Sequence, residues 1–315
     1  FSFLVFHFML PPVLGIDIGG TNIKLGLVNE QGELLETSTI TTPAERDLAH
    51  VVAVCVKATR ELLAKTKSHP KGAGVAAAGV VDIAGEHVIA APNFPEWHHA
   101  PLRAAMSEAL KLPMVLGNDV DLMGVAEHRW GAAVGLKHFI ATAIGTGVGG
   151  AIFIDGQLYR GAHGAAAEVG FTIISPNGPE ISGVKGVVEG YIGRRGFDEI
   201  VGKLFPTGEF PTPRRITELA NNGDPRARQV QDILAGYLAE AVATWLHLLN
   251  PEAVVLGGGT LAGAAYFFQV FEQKLRARAL KTHTEHLKIL PGKLGYYAGV
   301  QGAAAFWMMS NSNQS

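Results

Sequence analysis

The spacing of apolar residues changes period several times along the chain, and each change marks an element. VLGIDIGG (13–20) is a continuous apolar run ending in Asp17 and a glycine pair, the pattern of a buried strand. TNIKLGLVN (21–29) alternates, Gln31-Gly32 supplies a turn, and ELLETSTI (33–40) alternates again. Three strands joined by short turns make an antiparallel meander. From about Ala44 to Lys65 the period lengthens, with Leu48, Val51, Val52, Cys55, Leu62 and Leu63 on one helical face. GAGVAAAG (72–79) reads as a buried strand. Pro101 opens a short helix with Leu102, Ala105, Met106, Ala109 and Leu110 on one side. MVLGND (114–119) is a strand ending in Asn118-Asp119, where a helix carrying Met123, Ala126, Glu127 and Trp130 begins.

The order then restarts. HFIATAIG (138–145), GGAIFIDG (149–156) and QLYRG (157–161) are strands, the last two joined by an Asp155-Gly156 turn. Helices fill most of 184–250, interrupted near FPTGEFPTP (205–213). EAVVLGGG (252–259) is a strand followed by a helix, HLKILP (286–291) a strand, and GVQGAAAFWMM (299–309) a closing helix. Meander, helix, strand, helix, strand occurs twice. This is a diverged duplication at the level of element order, with no short solenoid repeat.

Composition narrows the function classes. The 315 residues suit two domains, and 48% hydrophobic with 17% charged residues fits a globular chain. A net charge of -2 gives no global field for nucleic acid or an anionic membrane. The basic pair Arg194-Arg195 and the stretch Arg276 to Lys281 read as solvated helix faces and ends. Cys55 is the only cysteine, so an internal disulfide and a multi-thiolate zinc site are both excluded. The apolar run FSFLVFHFML is too short to span a bilayer, and no cleavage signal follows it. The expectation is a native start at Met9, with residues 1–8 an extension, and a cytoplasmic protein.

Gly145, Gly147 and Gly150 spell G-x-G-x-x-G, the letters of a dinucleotide-binding fingerprint. That fingerprint needs a helix directly after its third glycine, because the pyrophosphate sits on the helix N-terminus. AIFIDGQLY follows instead, which is strand composition. The alternative is a phosphate hairpin. Asp17-Ile18-Gly19-Gly20-Thr21 and Gly145-Thr146-Gly147-Val148-Gly149 both pair glycines with a Thr at a turn between apolar strands, in corresponding halves of the duplication. Glycines let backbone N–H groups approach a polyanion. Asp17 can hold a hydrated Mg²⁺ and Lys24 can meet a phosphate.

LGIDIGGTNIK and IGTGVGGAIFIDG resemble the two phosphate motifs of the sugar-kinase, Hsp70 and actin superfamily. More closely, the chain resembles the ROK family (repressors, open reading frames and kinases of sugars). Matching segments are DIGGTNIK, AAAGVVD (76–82), PNFPEW (92–97) with Pro101-Leu102, LGNDVDLMGVAEHRWGAA (116–133), the second hairpin, GAAAEVG (164–170) and PEAVVLGGG (251–259), in family order from about Val13 to Ala305. The resemblance implies an α/β, duplicated actin-like (ribonuclease H-like) ATPase fold with two domains around a cleft, residues 1–118 plus 298–315 and residues 119–297. It implies Mg²⁺ and ATP, with Asp17, Gly19, Gly20, Thr21 and Lys24 toward the phosphates and Mg²⁺. Gly145, Thr146 and Gly147 would hold phosphates from the other domain, and Gly257, Gly258 and Gly259 would lie against the adenosine. A sugar would meet Gly79, Asn93, Asn118, Asp119, Glu168 and Glu189, with Asp119 as general base. A helix N-cap is a compatible reading of Asp119. Family members are usually homodimers or homotetramers.

One segment departs from the family pattern. The usual E-V-G-H and cysteine cluster that hold a structural zinc are here EVGFTIISPNGPEISGVKGVVEG, with Phe171 in the His position. Zinc is therefore expected to be absent. The same His touches the sugar in the family, so glucose is not carried over: another hexose, an amino or N-acetyl sugar, and relaxed specificity stay open. Ala78 also replaces the Pro common in the G-x-P-G stretch. A sugar kinase is the leading reading. A sugar-responsive repressor would need a winged helix-turn-helix, and only about twelve residues precede the first phosphate strand. A non-catalytic sugar-binding relative is the third reading.

Overall fold

The computed structural model describes residues 11–205 and 210–311, so the expected start at Met9 lies outside the described residues. The first elements are β1 (Val13–Ile18), β2 (Asn22–Val28), β3 (Leu34–Thr41), α1 (Leu48–Thr66) and β4 (Ala73–Ala77). A small pair follows, β5 (Val80–Val81) and β6 (Val88–Ala90), then α2 (Leu102–Leu110), β7 (Met114–Asn118) and α3 (Asp119–Trp130). Next come β8 (Phe139–Ile144), β9 (Val148–Ile154) and β10 (Gln157–Tyr159), with a second small pair, β11 (Glu180–Ile181) and β12 (Val184–Lys185). The helices α4 (Glu189–Ile192), α5 (Arg194–Leu204), α6 (Pro213–Asn221) and α7 (Pro225–Leu249) precede β13 (Ala253–Gly257). The last elements are α8 (Ala265–Arg278), α9 (Lys281–Thr284), β14 (Lys288–Pro291) and α10 (Ala298–Asn311).

The chain divides into two compact units, Phe1–Ala126 with Tyr297–Ser315, and Glu127–Tyr296. The first holds a five-stranded sheet in the order β3-β2-β1-β4-β7, the second one in the order β10-β9-β8-β13-β14. In each, the meander pairs antiparallel and the two later strands add in parallel. Position for position the two sheets are the same, which turns the repeated element order into a structural duplication.

The alternation of β1 explains its letters. Leu14, Ile16 and Ile18 face a core shared with Val51, Cys55 and Leu62 of α1 and Leu102 and Met106 of α2. The intervening residues face α10. A side chain at Gly15 would collide with the Val300 carbonyl, and one at Gly74 on β4 with the Ala303 carbonyl, so glycine is what lets α10 lie directly on the sheet. Asp17 is next on that face, beside Gly299 in the first turn of α10. The strand thus carries a carboxylate to its own carboxyl end.

The second unit packs α7 and α8 on its sheet through Val230, Leu234, Leu238, Val242, Phe267 and Phe271, and α6 lies against α7 and α8. Phe139 and Phe153 stack at 4.4 Å across β8 and β9. Two local expectations shift. α1 begins at Leu48 and not Ala44, because the Asp47 carboxylate caps it by accepting from His50 N at 3.1 Å. The stretch before α4 carries an unforeseen hairpin, β11–β12, tied down by Ile174 N to Gly186 O at 2.9 Å and Gly186 N to Pro179 O at 2.8 Å.

Candidate functional site

In the first unit the predicted residues gather at the carboxyl ends of β1, β4 and β7. Lys24 stands opposite Asp17 across the β1–β2 ladder, and its Nζ donates to Asp17 Oδ2 at 2.9 Å. Asp17 is buried, so the ammonium offsets part of the cost of holding that charge. The hairpin Gly19-Gly20-Thr21 follows, closed by Gly19 N to Asn22 O at 3.1 Å. Gly20 leaves room for the Asn93 amide, which lies where a side chain would stand. Asn118 Nδ2 donates to Gly79 O at 3.0 Å, joining two more of the residues assigned to sugar.

The β7–α3 junction corrects the capping reading. Asn118 Oδ1 accepts from Asp121 N at 3.0 Å and from Val120 N at 2.9 Å, so Asn118 is the cap and Asp119 is the first helical residue. Asp119 Oδ1 accepts from Val120 N at 3.0 Å. Burial of its carboxyl, with the neighbouring charge of Asp17 and a smaller contribution from Asp121, pushes the Asp119 pKa up to about 7. Desolvation and like charge outweigh the hydrogen bonds that its carboxylate accepts from backbone. A carboxylate poised near neutrality can take a proton from a hydroxyl.

In the second unit the hairpin Gly145-Thr146-Gly147 follows β8. Glu189, at the start of α4, reaches it: Oε2 accepts from Val148 N at 2.7 Å and lies where a Gly147 side chain would be. Glu168 precedes a 3-10 turn, Val169–Phe171, that packs against β9 at Val148 and Gly150. Partial burial raises the Glu168 pKa, and the nearby Glu189 charge raises it further. Phe171 is half-buried, with its N–H on Glu168 O at 3.0 Å. Gly257 ends β13, and Gly258, at φ +96°, passes so close to Ile144 that only glycine fits. The Gly257–Gly259 loop therefore lies beside the second hairpin.

Each hairpin by itself retains unpaired donors of the kind a phosphate takes. Among the described residues, the N–H groups of Gly20, Thr21, Thr146 and Gly147 have no hydrogen-bond partner. Asp17 would offer one hard oxygen ligand, which suits Mg²⁺ because that ion keeps most of its waters. No group of three or more His, Cys, Asp or Glu among the described residues is placed to hold a metal. Likewise, none of the described helices is long and apolar enough to cross a membrane.

The ROK family profile matches residues 13–310. This chain belongs to the ROK family. Its relatives include a glucokinase from Thermotoga maritima, 29% identical, with 93% of this chain and 96% of that protein covered. A xylose repressor from Caldicellulosiruptor bescii is 28% identical over 93% of this chain and 77% of its own length. Among solved structures, a ROK glucokinase from Streptomyces griseus in complex with glucose and AMPPNP superposes with a TM-score of 0.82 at 29% identity, covering 94% of this chain and 98% of that one. The fold is the duplicated actin-like ATPase fold of the ROK sugar kinases.

One residue that secures the first hairpin escaped the sequence. Thr42, just past β3, donates from Oγ1 to Gly19 O at 2.7 Å and from N to Thr21 O at 3.0 Å. A lone Thr after a strand has no spacing that sets it apart.

Proposed function

We propose that the protein is an ATP-dependent sugar kinase that phosphorylates a hydroxyl of a hexose or N-acetylhexosamine. The observation that carries this reading is Asp119, a carboxyl raised to about 7 at a strand end beside Asp17 and the Gly19–Thr21 hairpin. Its relationship to a glucokinase that binds glucose and AMPPNP supports the same reading. Asp119 takes the proton of the sugar hydroxyl as that oxygen bonds the γ-phosphorus and the bond to the ADP oxygen breaks. Asn118, Asn93 and Gly79, with Glu168 and Glu189, orient the sugar. Gly20 and Thr21, together with Thr146 and Gly147, present N–H and hydroxyl donors to the phosphates, Gly19 and Gly145 close the two turns with their own N–H groups, and Gly257–Gly259 lie along the adenosine. Mg²⁺, when bound, neutralises phosphate charge, and Asp17 is the carboxylate that would hold it. Phe171 offers a ring where the family has an imidazole, so the hydroxyl that His would pair is discriminated poorly.

The alternative is a sugar-binding regulator without turnover, favoured by the relationship to a xylose repressor. ADP release, measured over a panel of hexoses and N-acetylhexosamines with Mg²⁺ and ATP, separates the two. Turnover with at least one sugar supports the kinase. Sugar binding with no turnover anywhere on the panel supports the regulator.

A further inference from the structure

The two hairpins are held from behind by equivalent devices. A trans peptide is planar, so its N–H points opposite to the C=O it shares a plane with. In the first hairpin Thr42 Oγ1 fixes the Gly19 carbonyl, which turns the Gly20 N–H away from Thr42. Thr42 N donates to the Thr21 carbonyl at 3.0 Å and so anchors the far end of the same turn. In the second, Arg194 N at the start of α5 holds the Thr146 carbonyl at 3.0 Å, which turns the Gly147 N–H outward. Glu189 Oε2 holds the Val148 N–H at 2.7 Å, so the Gly147 carbonyl turns the other way and accepts Gly145 N at 2.9 Å. Of the four unpaired N–H groups, Gly20, Thr21, Thr146 and Gly147, these contacts set the direction of two, Gly20 and Gly147.

A carboxylate so close to a phosphate-binding turn is unexpected on charge alone, since it repels a polyanion. Its contact with Val148 N explains why an acceptor stands there, and the bare Gly147 explains how it gets in. We propose that Thr42 and Glu189 are positioning residues that pin the two hairpins so that the free Gly20 and Gly147 N–H groups face the phosphates of ATP. For Glu189 this is a task separate from any contact with sugar. The proposal rests on the reading of both hairpins as phosphate-binding.

The test is binding of Mg·AMPPNP, without sugar, by isothermal titration calorimetry, which does not depend on turnover. Thr42→Val and Glu189→Ala each remove one pinning hydrogen bond and should weaken binding about fivefold to tenfold. Thr42→Ser keeps the hydroxyl and Glu189→Gln keeps an acceptor for Val148 N, so both should stay within about twofold of the wild type. Should the larger changes unfold the protein, Glu189→Asp, one methylene too short to reach Val148 N, replaces them and should weaken binding while Thr42→Ser does not. Unchanged AMPPNP affinity in folded Thr42→Val and Glu189→Ala overturns the proposal, as does loss of sugar binding alone in Glu189→Ala. Failure of the wild type to bind AMPPNP overturns the kinase reading as well, which keeps the two failures apart.

Discussion

Protonating Asp119 should cost the reaction about tenfold in kcat/KM for each pH unit below about 7. The magnitude follows from the carboxyl's own surroundings: burial and the charge of Asp17, then that of Asp121, raise it to about 7. A general base works only when deprotonated, so at pH 6 about one-tenth of the enzyme is competent, and at pH 5 about one-hundredth. kcat/KM reports the free enzyme, which is the state described here. Asp121→Asn removes one of the charges that raise the pKa, and it should move the acid limb to lower pH while leaving the plateau nearly unchanged. The assay is direct quantification of sugar phosphate by mass spectrometry between pH 5 and 8.5, which avoids coupling enzymes with pH limits of their own. A profile flat down to pH 5, or a limb that Asp121→Asn does not move, refutes the reasoning.

The same raised pKa has a consequence for stability. A carboxyl whose folded pKa lies above its unfolded value favours the folded state while protonated and opposes it once ionised, so the cost develops between about pH 4 and 7. Asp119→Asn should therefore raise Tm at pH 8 by the equivalent of about 1–3 kcal/mol and leave it nearly unchanged at pH 4, read by thermal scans at both pH values. Gly74→Ala drives a methyl into the Ala303 carbonyl and should lift α10 off the sheet, costing about 3 kcal/mol or more in urea unfolding. Gly186→Ala puts a side chain at φ +74° against Ser175 O, and should loosen the β11–β12 hairpin, seen as faster amide exchange over 173–187. Prolonged EDTA treatment should leave Tm unchanged, because the chain's single cysteine, Cys55, is buried in α1 with its thiol pushed up to about 12.

Most of the framework is legible in the letters because it rests on period. The apolar runs of β1, β8 and β13, the alternation of β2, and the recurrence of meander, helix, strand, helix, strand prescribe two sheets of equal order. The hairpins are legible because glycines with a Thr at a turn after an apolar strand recur in corresponding halves of the duplication, whereas either one alone reads as a plain β-turn. What stayed hidden depends on contacts between residues distant in sequence. Gly15 and Gly74 are ordinary glycines until α10 crosses them. Whether Asn118 or Asp119 caps α3 turns on a side-chain torsion, since both residues suit the position. Thr42 acts through hydrogen bonds to residues more than twenty positions earlier. The 173–187 segment is full of turn residues with no alternation, so its short hairpin leaves no periodic trace. Nothing in the letters around Glu189 signals that its carboxylate holds the Val148 N–H of the second hairpin.

The central claim, that Asp119 is the base of a sugar kinase, is tested most directly by turnover and sugar binding in Asp119→Asn. With the best sugar from the hexose and N-acetylhexosamine panel, kcat at pH 8 should fall by about 10²–10⁴ while the sugar's Kd, measured calorimetrically, changes by less than about tenfold. Turnover within a few-fold of the wild type in that variant would contradict the account.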